Sequence, residues 1–431
     1  MNLEKKQVFD TIVIGGGIAG LQTALDLGDQ GFKVVIIEKD ATIGGKMIRL
    51  AKVFPTLDCA SCITTPKMSA AAHHDNITLL TYCTLNSLDG QGNNKVTASV
   101  TQQPRYVDPD KCIGCRQCEY NCPVYVPDEE QGNFTLRKAV YIPFSNAIPQ
   151  LALIDVENCS LCGKCEKICP TNAIDYFQKP QEFTIEAKTA VITTGFNLTS
   201  VDQKKEYGQG KIKNVITSLQ MERILAPHGP YMRVLRPSDG KEPESIAFVQ
   251  CAGSRDKSLG ISYCSRVCCM YAIKQCMLLS GALPLADLTI YYMDIRAFGK
   301  GYEQFYQNAK AMGIEFVKGK IASINQGDNQ SVSLKYEAQE QGGRLATRDH
   351  DLVVLSLGIV PEWDPTGICD ISRDTDAFIQ CKMPKIAPTI TSLEGVFTAG
   401  VASGPKDIVD TICESGAAAM EASNYMKNHQ E

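Results

Sequence analysis

The chain has 431 residues, 44% of them apolar and 21% charged, with a net charge of −5 and an isoelectric point near 5.7. That is ordinary globular composition, long enough for two or three domains. No basic field is present that would hold a polyanion, which excludes nucleic acid as a partner. The opening MNLEKKQVFDTIVIGGG holds no apolar leader, and the chain carries 19 cysteines. Together these point to metal ligation in a reducing, cytoplasmic setting rather than to disulfides. The longest apolar stretch, Cys276 to Ile290, is broken by Pro284 and Asp287 and is too short to cross a bilayer, so membrane contact is expected only through partners.

Residues 8–14 read as a short buried strand that runs into Gly15-x-Gly17-x-x-Gly20 and a helix from about Ile18 to Gln30. Gly15 permits the tight turn, Gly17 lets backbone approach a pyrophosphate, and Gly20 lets helix pack against strand, so the phosphates meet the helix N-terminus. A second strand, Lys33 to Ile37, ends in Glu38, placed to accept from ribose hydroxyls. The run Glu38-Lys39-x4-Gly44-Gly45-Lys46 follows at once, and in this it resembles the two-dinucleotide-binding flavoproteins, which favours FAD over NAD. Next comes Cys59-x2-Cys62, compatible with a redox dithiol, a pair of metal ligands or a structural turn. His73 and His74 have no second ligand at useful spacing and read as surface or core histidines.

Two copies of one spacing then dominate the chain: Cys112-x2-Cys115-x2-Cys118-x3-Cys122-Pro and Cys159-x2-Cys162-x2-Cys165-x3-Cys169-Pro. This is the bacterial ferredoxin pattern for two 4Fe-4S clusters, in which three thiolates of one loop grip a cubane and the fourth crosses to the other cluster. Cys112, Cys115 and Cys118 therefore pair with Cys169, and Cys159, Cys162 and Cys165 with Cys122. A double zinc ribbon would show two C-x2-C pairs instead. Proline-containing linkers near Tyr106 and Gln178 bound this insert at residues 104–178.

After the insert, Ala190 to Gly195 resembles the second strand by which such flavoproteins return to the FAD. A second strand-helix-strand unit follows: Ser245 to Gln250, a helix from about Arg266 to Leu279, and Leu288 to Met293. Where NAD(P)H-binding glycines belong, it carries Cys251, Cys264, Cys268 and Cys269. Free cysteines rarely crowd one turn without a ligand, so this set is expected to hold a third, non-standard 4Fe-4S cluster. Lys274, on the same helix, is expected either in solvent or facing the flavin, where its ammonium would favour the anionic reduced ring. Gly395 to Gly400 resembles the C-terminal flavin segment, with Val401 in place of the usual aspartate. Lys406 and Asp407 then open a helix whose N-terminus is placed to stabilise charge on a reduced flavin.

Taken together, Phe54 to Met68, the ferredoxin insert and Cys251 to Lys274 look like the A subunit of heterodisulfide reductase and its bacterial relatives, including quinone-interacting oxidoreductase flavin subunits. The resemblance covers nearly the whole chain. It implies an α/β architecture of two Rossmann-like folds of thioredoxin-reductase type with an inserted two-cluster ferredoxin domain. The expected division is 1–103, 179–244 and 359–431 for the FAD fold, 104–178 for the insert, and 245–358 for the second fold. Family members are flavin hubs of multisubunit oxidoreductases, some of which bifurcate or confurcate electrons. The implied partners are subunits of heterodisulfide reductase B and C type or of quinone-interacting type, with a homodimer inside a larger complex also compatible. The sequence holds neither the additional N-terminal domain nor the C-terminal ferredoxin of longer methanogen members, so its electron exits are expected to differ. No nucleophile and base constellation is present, so the substrate site is expected on partners. Two rivals remain: an NADH- or NADPH-oxidising protein like the glutamate synthase small subunit, which needs a second glycine fingerprint, and an iron-sulfur scaffold or sensor without FAD.

Overall fold

The computed structural model describes residues 6–90 and 95–429; the charged lead of residues 1–5 lies outside the described residues. The chain divides into two compact units. The first comprises Met1–Ile48, Ile63–Phe196 and Pro361–Glu431, and the second Arg49–Cys62 and Asn197–Val360.

At the centre of the first unit is a five-stranded parallel sheet in the order Val396–Thr398, Thr189–Ile192, Thr11–Ile14, Val34–Glu38, Ile77–Thr81. Its inner strands read TIVI, VVIIE and TAVI and every residue in them is buried, because both faces of a parallel sheet are covered. One face packs the helices Ile18–Gly28 and Ile408–Asn428 through Leu21, Ala24 and Leu27 against Ala418, Ala419 and Ala422, alanines that let the two helices approach closely. On the other face Ile12, Ile14, Val35 and Ile37 meet Leu85, Leu88, Val100, Phe183 and Ile185 of a second, four-stranded sheet.

The ferredoxin insert leaves this second sheet and returns to it between two strands that pair directly. Val96–Gln102 and Gln181–Ala187 run antiparallel from Gln102 opposite Gln181. A domain placed between paired neighbours leaves the host sheet intact, since the two chain ends are already adjacent.

The second unit has a seven-stranded sheet ordered Val215–Thr217, Leu352–Leu357, Ser245–Ala252, Asp287–Tyr292, Glu315–Gln326, Val332–Ala338, Arg344–His350. Its first five strands are parallel and the last two antiparallel. Residues 197–244, expected with the FAD fold, instead join this unit: Val215–Thr217 is its edge strand, paired with Leu352–Leu357. The physical reason is the hydrophobic register of Val215 and Ile216, both buried, against that neighbouring strand.

Candidate flavin and iron-sulfur sites

In the first unit the expected flavin residues gather at the C-terminal edge of the five-stranded sheet, where open parallel sheets bind ligands. Gly15 follows the strand Thr11–Ile14 at φ +106, and a β-carbon there would lie 2.5 Å from the Thr193 carbonyl oxygen. At Gly20 it would lie 1.9 Å from the Gly15 oxygen. These two glycines are thus demanded by packing. Gly17 is different: a β-carbon there meets only the Gly45 Cα, at 3.9 Å, so the space above this backbone is open for a ligand. Gly44 N donates to Gly16 O at 2.8 Å, which closes the Gly44-Gly45 turn over the first one.

Glu38 ends its strand buried, accepting from Gly16 N at 2.6 Å and from Asp40 N at 2.9 Å. Burial, reinforced by the nearby Asp40 carboxylate, pushes its carboxyl up to about 7, and a hydroxyl donated to it would favour the charged form. Lys39 and Lys46 both pair with Glu362, each at 2.5 Å, and Lys46 also lies 5.3 Å from the Phe196 ring centroid. Burial alone would raise the Glu362 carboxyl, but Lys46 and Lys39 hold it below its ordinary value. Gly195 adjoins this group, since a β-carbon there would lie 3.9 Å from Glu362 Oε2. On the far side of the sheet edge, Gly400 N and Lys406 Nζ both donate to Glu414 Oε2, at 2.7 and 2.6 Å. Asp407 caps the helix Ile408–Asn428 by accepting from Asp410 N at 2.8 Å. Glu362 and Glu414 escaped the sequence reading, since each carboxylate is defined by a partner from another segment.

Within the insert, the two cysteine loops repeat one backbone path. Gly114 and Leu161, then Arg116 and Gly163, take left-handed φ of +67, +52, +59 and +70, and the short helices Gln117–Asn121 and Lys164–Ile168 follow. One cavity is lined by Cys112, Cys115, Cys118 and Cys169 with Val107, Ile142 and Ala152. A second is lined by Cys159, Cys162, Cys165 and Cys122 with Val140, Ile154 and Tyr176. Each cavity therefore collects three thiols from one loop and the fourth from the other. Backbone N–H groups already point at sulfur, Leu161 N to Cys159 Sγ at 3.4 Å and Ala173 N to Cys169 Sγ at 3.2 Å, the kind of donor that tunes cluster potential. Among the described residues no three His, Cys, Asp or Glu side chains converge on a point that would hold a single ion. A cubane needs no such convergence, because it takes its thiolates on separate irons. The insert is tied to the flavin fold through Ile148, whose N donates to Thr42 Oγ1 at 2.9 Å and whose carbonyl accepts from Ile43 N at 3.0 Å, one residue before the Gly44-Gly45 turn.

The second unit presents a different strand-to-helix connection. In the first unit residues 15–17 join strand to helix, whereas here residues 253–267 intervene between Ser245–Ala252 and Cys268–Ala282. Cys251 sits at φ +56 near the strand end, Cys268 and Cys269 open the helix, and Cys264 Sγ accepts from Arg266 N at 3.3 Å. Burial, then the neighbouring Cys251 and Cys264 thiols, push Cys269 up to about 11; Cys268 is raised by burial and by the same neighbours. All four thiols thus stand within electrostatic range of one another. Lys274, expected in solvent or at the flavin, is 2% exposed. Its Nζ pairs with Glu222 and donates to the Lys52 carbonyl at 2.8 Å. Glu222 is held on the helix Ser218–Leu225, which Thr217 and Gln220 close with a capping box.

These features define an α/β flavoprotein with an inserted two-cluster ferredoxin domain. The matching family models agree: "FAD dependent oxidoreductase" over residues 10–58 and "4Fe-4S dicluster domain" over residues 111–174. In fold, the chain is similar to the T. acidophilum thioredoxin reductase (TM-score 0.55, 15% identity, 99% of this chain and 100% of that one). A Lactococcus lactis thioredoxin reductase gives 0.54 at 14% identity, with 97% and 99% covered. In sequence it is 43% identical over 430 residues to the A subunit of the H(2):CoB-CoM heterodisulfide,ferredoxin reductase of Methanothermobacter thermautotrophicus. It is 45% identical over 426 residues to the A subunit of the H(2)/formate:CoB-CoM heterodisulfide,ferredoxin reductase of Methanococcus maripaludis. Each match covers 97% of this chain. Over nearly its whole length the chain is similar to heterodisulfide reductase A subunits, and it spans 64% of the length of these relatives. Among the described residues no helix is long and apolar enough to cross a membrane.

Proposed function

We propose that this chain is the FAD and iron-sulfur electron-transfer subunit of a heterodisulfide-reductase-type complex, an oxidoreductase whose substrate site lies on partner subunits of B and C type or of quinone-interacting type. The observation that carries the reading is the pair of four-cysteine cavities in the same compact unit as the glycine turn. When bound, FAD supplies a carrier that takes two electrons and releases them singly or together, and 4Fe-4S clusters supply single-electron steps. The chain's own residues set the conditions. Gly17 leaves room for a pyrophosphate, Gly45 lets its turn close on the Gly17 backbone, Glu38 is an acceptor for ribose hydroxyls, and the Lys39-Glu362-Lys46 group fixes the turn that faces them. Thr42 and Ile148 hold the insert against that turn, which keeps the transfer path short. In the second unit, Cys251, Cys264, Cys268 and Cys269 form the site of a third cluster at the sheet edge that would otherwise receive nicotinamide.

An anaerobic reductive titration of the purified chain tests this. Dithionite is expected to bleach both the flavin and the iron-sulfur absorbance, while excess NADH or NADPH leaves the flavin oxidised. Rapid stoichiometric flavin reduction by either nicotinamide would return the glutamate-synthase-type reading.

A further inference from the structure

Cys59 and Cys62 are taken up by neither the flavin nor the cluster sites, yet they stand together. Cys59 immediately precedes the helix Ala60–Ala72, and Cys62 N donates to Cys59 Sγ at 3.3 Å. The two thiols also hydrogen-bond to each other. Cys62 is exposed and Cys59 half-buried. This is a C-x-x-C pair at the first turn of a 13-residue helix, where the Cys62 N–H donated to Cys59 Sγ and the helix dipole favour a thiolate. The two sulfurs are not equivalent. The bond from Cys62, with help from backbone donors and Lys52, lowers the Cys59 thiol, whereas Cys62 is raised by the same bond.

The base beneath the pair is stiff. Lys52 faces Cys59 across an antiparallel bridge, and its carbonyl accepts from the buried Lys274 Nζ at 2.8 Å. Next to it, Ala51 N donates to Glu222 Oε2 at 3.0 Å. The segment bearing the thiols is therefore fastened to the helix that begins with Cys268 and Cys269. Along that helix Lys274 lies about 7.5 Å from Cys269.

We propose that Cys59 and Cys62 are a reversible dithiol/disulfide centre that exchanges two electrons with an organic disulfide. The Cys59 thiolate attacks one sulfur of the disulfide RSSR, forming a mixed disulfide and releasing one RS⁻. The Cys62 sulfur, giving up its proton to solvent, then attacks Cys59 Sγ, closes the Cys59–Cys62 bond and releases the second RS⁻. The two thiolates set free take up the protons lost by the cysteines, so the sum is one disulfide reduced to two thiols and one dithiol oxidised. An external dithiol runs the sequence backwards.

The test uses the full chain, anaerobically purified with its flavin and iron, and oxidised glutathione as the probe. Free thiols are alkylated after equilibration at graded ratios of oxidised to reduced glutathione, and the peptide spanning both cysteines is weighed. The expected result is a peptide lighter by two hydrogens and closed to alkylation at oxidising ratios, with iron and flavin content unchanged. In the reduced chain near neutral pH, Cys59 is expected to alkylate about tenfold faster than Cys62. In Cys62→Ser the remaining Cys59 should stop at the glutathione mixed disulfide. Two open thiols of equal reactivity at every ratio would overturn the proposal. So would loss of iron in Cys59→Ser or Cys62→Ser, which would make the pair metal ligands. Because the readout is the peptide mass, failure here leaves the electron-transfer reading of the flavin and clusters standing.

Discussion

Cys169→Ser is expected to remove the cluster gripped by Cys112, Cys115 and Cys118, not the one whose loop it follows in sequence. Cys169 lines the cavity of the first loop together with those three thiols, and Cys122 lines that of the second. A cubane that loses one of four thiolates is left with an iron open to solvent, so about four of the irons are expected to be lost. Cys122→Ser should give the mirror result, emptying the cavity of Cys159, Cys162 and Cys165. Electron paramagnetic resonance of the reduced variants separates the cases when a ligand of each loop is replaced alongside: Cys169→Ser should lack the same cluster signal as Cys115→Ser, and Cys122→Ser the same signal as Cys162→Ser. A Cys169→Ser spectrum that matches Cys162→Ser instead would show that the fourth ligand is local and that the crossing is wrong.

Breaking the Glu222–Lys274 pair is expected to destabilise the second unit strongly. Both side chains are 2% exposed, and the Glu222 carboxylate also takes a bond from Gln275 Nε2 and one from Ala51 N at 3.0 Å. Removing one partner strands a buried charge, which costs roughly 3–5 kcal/mol. Glu222→Ala and Lys274→Met should each lower the urea midpoint of the anaerobic protein accordingly. Replacing both at once, Glu222→Leu with Lys274→Met, should recover most of the loss, because apolar residues of similar volume often substitute for a buried ion pair at little cost. Equal losses in the single and double variants would mean that packing rather than charge sets the effect.

What the sequence made readable was local. Gly15 and Gly20 are fixed by contacts inside one strand-turn-helix unit, and both repeat a constraint visible in their spacing: each β-carbon would strike backbone or Thr193. The ferredoxin loops were readable for the same reason, since their spacing and the Cys-Pro steps encode a short, twice-used path. What stayed hidden depends on partners far along the chain. Lys39 and Lys46 carry no sign that Glu362 will join them, and nothing around Lys274 announces Glu222, 52 positions away. Residues Arg49–Cys62 leave the flavin fold for the second unit without a glycine or proline cluster to mark the change. Their destination is set by bonds from Ala51 and Lys52 to Glu222 and Lys274.

In the proposed function, thiolates occupy the sheet edge of the second unit where a nicotinamide site would be. Iron, sulfide and flavin counted on the same anaerobically purified sample decide whether they do. Three clusters predict about 12 irons and as many sulfides per FAD. A count of about 8 irons per FAD, with both ferredoxin signals intact, would leave Cys251, Cys264, Cys268 and Cys269 without a cluster and contradict the account.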